Sequence, residues 1–302
     1  MRGWATLLVL LLAAAVVSLG PDTLRELISG LTFARPPAAS IAPAPLHTEP
    51  ALQARLEAAG SAATQGSLGV AVVDLQRGAM GSVDAARAYP AASLFKLPLL
   101  LEVLTEAEAG RLDPERRLEI RPEDWTDGSG VLQARVGDQL AVRELTRLMI
   151  QDSDNIAALV LLDAVGIGSV NALTERLGMP ATRLVDHRAG EPGDHTTSAS
   201  DMAHLLVGLA TGQLVSQRVA EQALSLLELK QSVTWLGDDL PFWVKIAHKW
   251  GDLPEARHDA GIVYTPRGSY AIAVLTENGP ADESAKAIAR VSRVAYDYLG
   301  NQ

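Results

Sequence analysis

The stretch "FWVKIAHKWGDLPEARHDAGIVYTPRGSYAIAVLTE", residues 242–277, decides the architecture. Within it "FWVKIAHKW", "HDAGIVYTP" and "SYAIAVLTE" are short runs rich in β-branched and aromatic residues, broken by Gly, Pro and Asp, which is how strands read. The last two meet through Pro266-Arg267-Gly268 as a hairpin, and a helical period follows from Ala281 to Leu299. Near the other end, "ALQARLEAAG" (51–60) reads as a helix closed by Gly60, and "SLGVAVVDLQRG" (67–78) as a strand turning at Arg77-Gly78. Between these ends the period is helical over 93–109, 139–151, 154–165, 169–177, 198–211 and 216–230, with Gly110, Gly166, Gly178 and Gly212 as stops. Strands at both ends with helices between predict an α/β (α+β) fold. It has one antiparallel sheet formed from both chain ends, flanked by the terminal helices, with an all-α subdomain inserted.

Composition narrows the chemistry. With 48% hydrophobic and 21% charged residues in 302, the chain can bury a sizeable core. Asp plus Glu number 36 against 26 Lys plus Arg, and no basic cluster stands out, so nucleic acid is not an expected partner. The absence of cysteine excludes disulfides, thiolate nucleophiles and Cys-type zinc sites. The histidines lack any H-E-x-x-H spacing, so neither a metal nor another cofactor is expected. Arg2 precedes the uncharged run "GWATLLVLLLAAAVVSLG" (3–20), which predicts a signal peptide or N-terminal membrane anchor over 1–20 and an extracytoplasmic protein. Membrane contact is expected only through residues 4–20. Residues 21–50, ending in "ARPPAASIAPAPLHTEP", read as a Pro/Ala-rich linker, and 51–302 as one domain, expected to act as a monomer.

The chemistry-bearing stretch is "AASLFKLPLL", residues 91–100. On a helix, Ser93 and Lys96 would share a face, so an amine could take the proton of a weakly nucleophilic hydroxyl if burial lowers its pKa. Taken alone, the pair reads as readily as an N-cap serine and a solvated lysine. Two further stretches follow in order: Ser153-Asp154-Asn155 between two helical segments, and Lys249-Trp250-Gly251 at the end of a strand.

Serine-x-x-lysine, serine-aspartate-asparagine and lysine-x-glycine together resemble the signature of penicillin-recognising serine enzymes. The domain from about residue 51 resembles the class A β-lactamase family and its β-lactamase-related serine hydrolase relatives. "FKLP" after Ser93, "TRL" (182–184), "TTSASDMAHLL" (196–206) and "RHDAGIVY" (257–264) extend the resemblance. It implies Ser93 as nucleophile, Lys96 as its base, Ser153 as proton relay to the leaving nitrogen, and Asn155 as holder of Lys96 and of the substrate amide. It also implies an oxyanion hole from the Ser93 N–H and one beyond Gly251, at Asp252, with Lys249 as the charge that orients a substrate carboxylate. "DWTDGSGVLQ" (124–133) resembles the rim loop of such sites.

Two departures bear on activity. Trp250 stands where the family motif carries threonine, losing a hydroxyl; it either narrows the cleft or, by strand alternation, joins the core. Arg257 is then the candidate compensating charge. The loop "VDHRAGEPGDH" (185–195) lacks the E-x-x-x-N pattern that supplies the family's hydrolytic glutamate, which leaves Glu191 as the candidate base. The expected function is hydrolysis of a β-lactam amide through a Ser93 acyl-enzyme, slowed by the missing glutamate. The alternatives are a D-alanyl-D-alanine carboxypeptidase or another exported amidase or esterase acting on a peptidoglycan-type peptide, and a catalytically idle wall-binding module.

Overall fold

The computed structural model describes residues 44–61 and 66–300; the expected signal or anchor and most of the expected linker lie outside them. The described chain opens with β1 (His47–Thr48), α1 (Pro50–Ser61), β2 (Ser67–Asp74), β3 (Ala79–Val83) and β4 (Tyr89–Pro90). A 3-10 turn (Ala92–Phe95) leads into α2 (Lys96–Glu108), then β5 (Arg117–Glu119), β6 (Gln139–Ala141), α3 (Val142–Gln151), α4 (Asn155–Val165) and α5 (Ile167–Arg176). After β7 (Thr196–Thr197) come α6 (Ala199–Thr211), α7 (Gln217–Leu227), β8 (Lys245–Leu253), β9 (Ala256–Thr265), β10 (Gly268–Glu277) and α8 (Ala281–Leu299). No single helix among the described residues is long and apolar enough to cross a membrane.

The main sheet has the order β1-β3-β2-β10-β9-β8, antiparallel except for the short β1–β3 pair. It is closed by its two chain ends, since β2 pairs with β10 from Ser67↔Glu277 to Asp74↔Tyr270. Side-chain alternation divides its residues between two cores. Val70, Val72, Val263, Ile272 and Val274 pack with Leu52 and Leu56 of α1 and with Ile288, Val291 and Ala295 of α8. Ala71, Ala247, Ala260, Ala271 and Ala273 belong to the larger cluster with the helical subdomain. Small residues on that face let α6 lie close against β2, β9 and β10. The mixed α/β architecture with an inserted helical subdomain is as expected from the sequence.

Several boundaries differ, each for a local reason. The segment 93–109 is not one α-helix: Ser93 lies in the 3-10 turn and α2 begins at Lys96. Pro98 has no N–H to donate, so it fits only the first turn of a helix, and a start at Lys96 places it there. Gly60 lies inside α1 rather than closing it. Residues 139–141 pair with 117–119 as a two-stranded ribbon before α3 starts, so the inserted block is not purely helical. Likewise β4 and β7 pair at Tyr89↔Thr197 and Pro90↔Thr196, tying the segment before Ser93 to the segment before α6. The first strand of the 242–277 stretch starts at Lys245 and runs to Leu253, leaving Phe242 and Trp243 exposed. At the other edge, His47 and Thr48 pair with Ala79 and Met80, so the sheet reaches into the last residues of the expected linker.

Candidate active site

Ser93 is presented by a turn rather than by a regular helix. Ala92, just before it, has φ +44°, a left-handed conformation that costs energy in a residue with a Cβ and persists where surrounding structure imposes it. The imposing contacts come from β4, β7 and β9. Ala91 N–H donates to His195 O at 2.6 Å. His258, wholly buried on β9, has Nε2 2.6 Å from Pro90 O and Nδ1 2.7 Å from Arg257 O, with Thr276 N–H reaching Nδ1 at 3.2 Å. Burial pushes the His258 pKa down to about 4 against the pull of the two carbonyls, so its imidazole is neutral near pH 7 and can donate from Nε2 to Pro90 O. Gly251 of β8 packs against the same turn. A Cβ there would stand 3.0 Å from Ala92 Cβ and 3.1 Å from Ser93 N, so glycine is what lets the strand pass this close.

Lys96 is wholly buried, with Nζ 3.0 Å from Ser93 Oγ, 2.7 Å from Asn155 Oδ1, 2.5 Å from Ser153 O and 3.2 Å from Ser153 Oγ. Burial lowers its pKa to about 7, a shift partly opposed by the Asp154 carboxylate, so near neutral pH much of it is free amine. Ser153, at φ +53°, donates from Oγ to Ser93 Oγ at 3.0 Å. Two hydroxyls and one amine therefore close a triangle in which a proton can leave Ser93 and be delivered elsewhere.

Asp154 builds the frame. It caps α4 by accepting Ala157 N–H at 2.8 Å, and its second oxygen accepts Val131 N–H at 2.6 Å and Leu132 N–H at 3.0 Å. Gly130, at φ +128°, lies against that carboxylate, where a Cβ would come within 2.2 Å of Oδ2. The rim loop is thus fastened to the start of α4. Asn155 continues the link, its Nδ2 donating to Asp127 O at 3.2 Å.

On the facing strand, Lys249 is wholly buried and donates from Nζ to Trp250 O at 2.8 Å. Burial first, and the Lys96 charge second, hold its pKa well below the usual lysine range. Trp250 takes the core alternative. It shares the strand face of Ile246 and His248, is 6% exposed, and meets Trp235 edge-on at 6.1 Å. Its indole N–H has no hydrogen-bond partner among the described residues. Arg257 does not reach into the cleft. It is bound to the Asp252 carboxylate and donates to Ala256 O at 3.3 Å, so its charge is spent on its own hairpin.

The cleft at Ser93 has a volume of about 380 Å³, adequate for a small acyl donor. Besides Ser93 and Asn155, its lining includes Phe95, Thr126, Ser129 and Asp252, with His187, Asp194 and His195 from the loop. Glu191 is not among the lining residues. Its Oε2 accepts Asp186 N–H at 3.1 Å and lies 3.4 Å from Arg183, because the Gly-Glu-Pro-Gly turn folds back on its own loop. The structure thus brings Ser93, Lys96, Ser153 and Asn155 together, sets Gly251 and Asp252 beside them, and leaves Glu191, Trp250 and Arg257 out. His187 and His195, whose ring centroids are 5.3 Å apart, were not singled out from the sequence as site residues; their one signal was their place on the loop after "TRL". Burial brings the His195 pKa down to about 4. A larger cavity, about 540 Å³, lies among α2, α3 and α7, but Ser93 and Lys96 are not in its wall. Among the described residues no group of three or more His, Asp or Glu side chains could hold a metal ion.

Solved structures are similar to this chain in fold. PBP-A has 26% identity and a TM-score of 0.80, covering 86% of this chain and 100% of its own. A PBP-A mutant solved as its acyl-enzyme with penicillin G has 28% identity and a TM-score of 0.79, covering 85% and 99%. A β-lactamase from Sphaerobacter thermophilus has 31% identity and a TM-score of 0.75, covering 83% and 97%. The model of the beta-lactamase enzyme family matches residues 51–299, a span that includes every residue of the site, and the chain belongs to that family.

Proposed function

We propose that the protein is a serine hydrolase that opens β-lactam amides through a Ser93 acyl-enzyme, and that this acyl-enzyme clears slowly. The observation that carries the reading is the triangle of Ser93 Oγ, Lys96 Nζ and Ser153 Oγ, closed at 3.0, 3.2 and 3.0 Å around an amine with a pKa of about 7. Ser93 Oγ bonds to the carbonyl carbon while its proton passes to Lys96 Nζ. The oxyanion is held by the backbone N–H of Ser93 and by that of Asp252 beyond Gly251. The C–N bond then breaks as Lys96 returns the proton through Ser153 Oγ to the leaving nitrogen. Water must complete the cycle, and Glu191, held by Asp186 N–H and Arg183, is not placed to activate it. Slow release favours, as a second reading, an exported amidase or carboxypeptidase for which β-lactams are acylating inhibitors. We also propose that the run 3–20 exports or anchors a monomeric, extracytoplasmic domain.

The test is a time course of intact mass with excess penicillin G. The reading expects one penicillin-sized adduct, absent from Ser93→Ala, that persists for minutes or longer. An unlabelled wild-type protein would refute it, and an adduct that clears within seconds would refute slow deacylation.

A further inference from the structure

We infer that a second pocket, apart from the Ser93 cleft, binds an organic primary ammonium with an apolar body. It lies between the end of α7, the segment 234–244 and the first half of β8, and has a volume of about 470 Å³. It shares no lining residue with the Ser93 cleft.

Its wall holds a polar atom that lacks a partner. Gln231 is 7% exposed, and its side chain donates from Nε2 to His248 O at 2.5 Å. A carbonyl can only accept, so this bond fixes which end of the amide is the NH2 group. The other end, Oε1, is a buried acceptor with no hydrogen-bond partner among the described residues. Such an oxygen costs free energy that a bound N–H or O–H group recovers. His248 lines the same pocket. Its Nδ1 donates to one oxygen of the wholly buried Asp259 carboxylate at 2.8 Å, and the other oxygen accepts Leu236 N–H at 3.1 Å. In the neutral ring that pairing leaves Nε2 as an acceptor, so the polar part of the wall asks for donors.

The rest of the pocket says what should carry those donors. Leu240, Val244 and Ile246 line it with apolar surface, together with the exposed ring of Phe242. Its charged side chains are Glu228, Lys230 and Asp238, and Asp239 adjoins Asp238 in the chain. Burial, then the charges of Asp239 and Asp259, raise the Asp238 pKa, which is how a carboxylate responds to a negative field. A primary ammonium supplies N–H groups to Gln231 Oε1 and His248 Nε2 and a charge to Asp238, while its apolar body covers Phe242. A carboxylate would bring acceptors to acceptors. A neutral alcohol would satisfy Oε1 and gain nothing from Asp238.

The test uses the full-length protein at pH 8 and three probes of one shape, benzylamine, benzyl alcohol and benzoate. Binding is read by calorimetry and saturation-transfer NMR, with and without prior treatment with penicillin G. We expect benzylamine to bind at one site with a dissociation constant of about 1 mM, as a fragment of its size allows, and benzyl alcohol about tenfold more weakly. Benzoate should not bind, and penicillin G should not displace the amine. Asp238→Asn and Phe242→Ala, both at exposed positions, should each weaken benzylamine about threefold or more, and Gln231→Met, which removes Oε1, about tenfold. Penicillin G should react with the two exposed variants as it does with the wild type. Benzylamine that does not saturate below about 20 mM leaves Oε1 to water and overturns the inference. Benzoate that binds as tightly as the amine, an affinity untouched by the three variants, or displacement by penicillin G would overturn it too.

Discussion

At the scale of the residue, the proposed mechanism makes Lys96 decide when the site works. A wholly buried amine with a pKa of about 7 is protonated below that pH and cannot accept the Ser93 proton; above it, it can. The acylation rate should therefore fall about tenfold per pH unit below 7 and level off above it, as measured by stopped-flow acylation with penicillin G. An inflection near the ordinary lysine value would show that burial does not tune this group. Ser93, Lys96, Ser153 and Asn155, which the structure brings within hydrogen-bond reach of one another, were legible in the sequence from their identity and order. Trp250 was not resolved, since strand alternation permits either face and only the register with Asp259 and the contact with Trp235 settles which. Glu191 misled for a related reason: a Gly-Glu-Pro-Gly turn has no periodicity from which a side chain's direction could be read.

At the scale of the element, α4 and the rim loop stand or fall together through Asp154. One wholly buried carboxylate caps the helix and accepts two N–H groups from residues 131 and 132. Replacing it by alanine removes the cap and leaves two amides without their acceptor, a loss of about 3 kcal/mol. Asp154→Ala should accordingly lower the urea midpoint and also weaken acylation, because Asn155 and Ser153 flank the lost anchor. A stability change below about 0.5 kcal/mol would show that the carboxylate carries no such load. The helices α3 to α8 were legible from apolar period and from stops or caps such as Gly212 and Ser216. The ribbon of β5 and β6 was not: three-residue strands are too short to show alternation beside a helical run.

At the scale of the whole molecule, acid should act through buried imidazoles. His258 has a folded-state pKa of about 4, below its value in the unfolded chain, so between pH 6.5 and 4 the unfolded chain binds a proton that the native state refuses. The stability this neutral form contributes is complete above pH 6.5 and is lost as the pH falls toward 4, by roughly 3 kcal/mol. Urea unfolding at pH 7.5 and pH 4.5 should show that loss, and His258→Gln, whose amide does not titrate and can still donate to Pro90 O, should show less of it. Equal pH dependence of the two proteins would clear His258 of the effect. The sheet itself was the most legible feature, since its long strands, buried on both faces, read as near-continuous apolar runs and its hairpin turns are marked by Gly78 and Gly268.

That closure of the sheet by both chain ends sets an order of events during synthesis. Ser93, Lys96 and Ser153 all lie before residue 156, but the wall beside them is β8, which is ordered by β9, and β9 by β10 pairing back to β2 across some 200 residues of chain. Contacts so distant in sequence form late in folding. In the proposed mechanism, a nascent chain carrying Ser93 and Lys96 is therefore chemically silent until its last strands emerge, and reactivity arrives only when folding is complete.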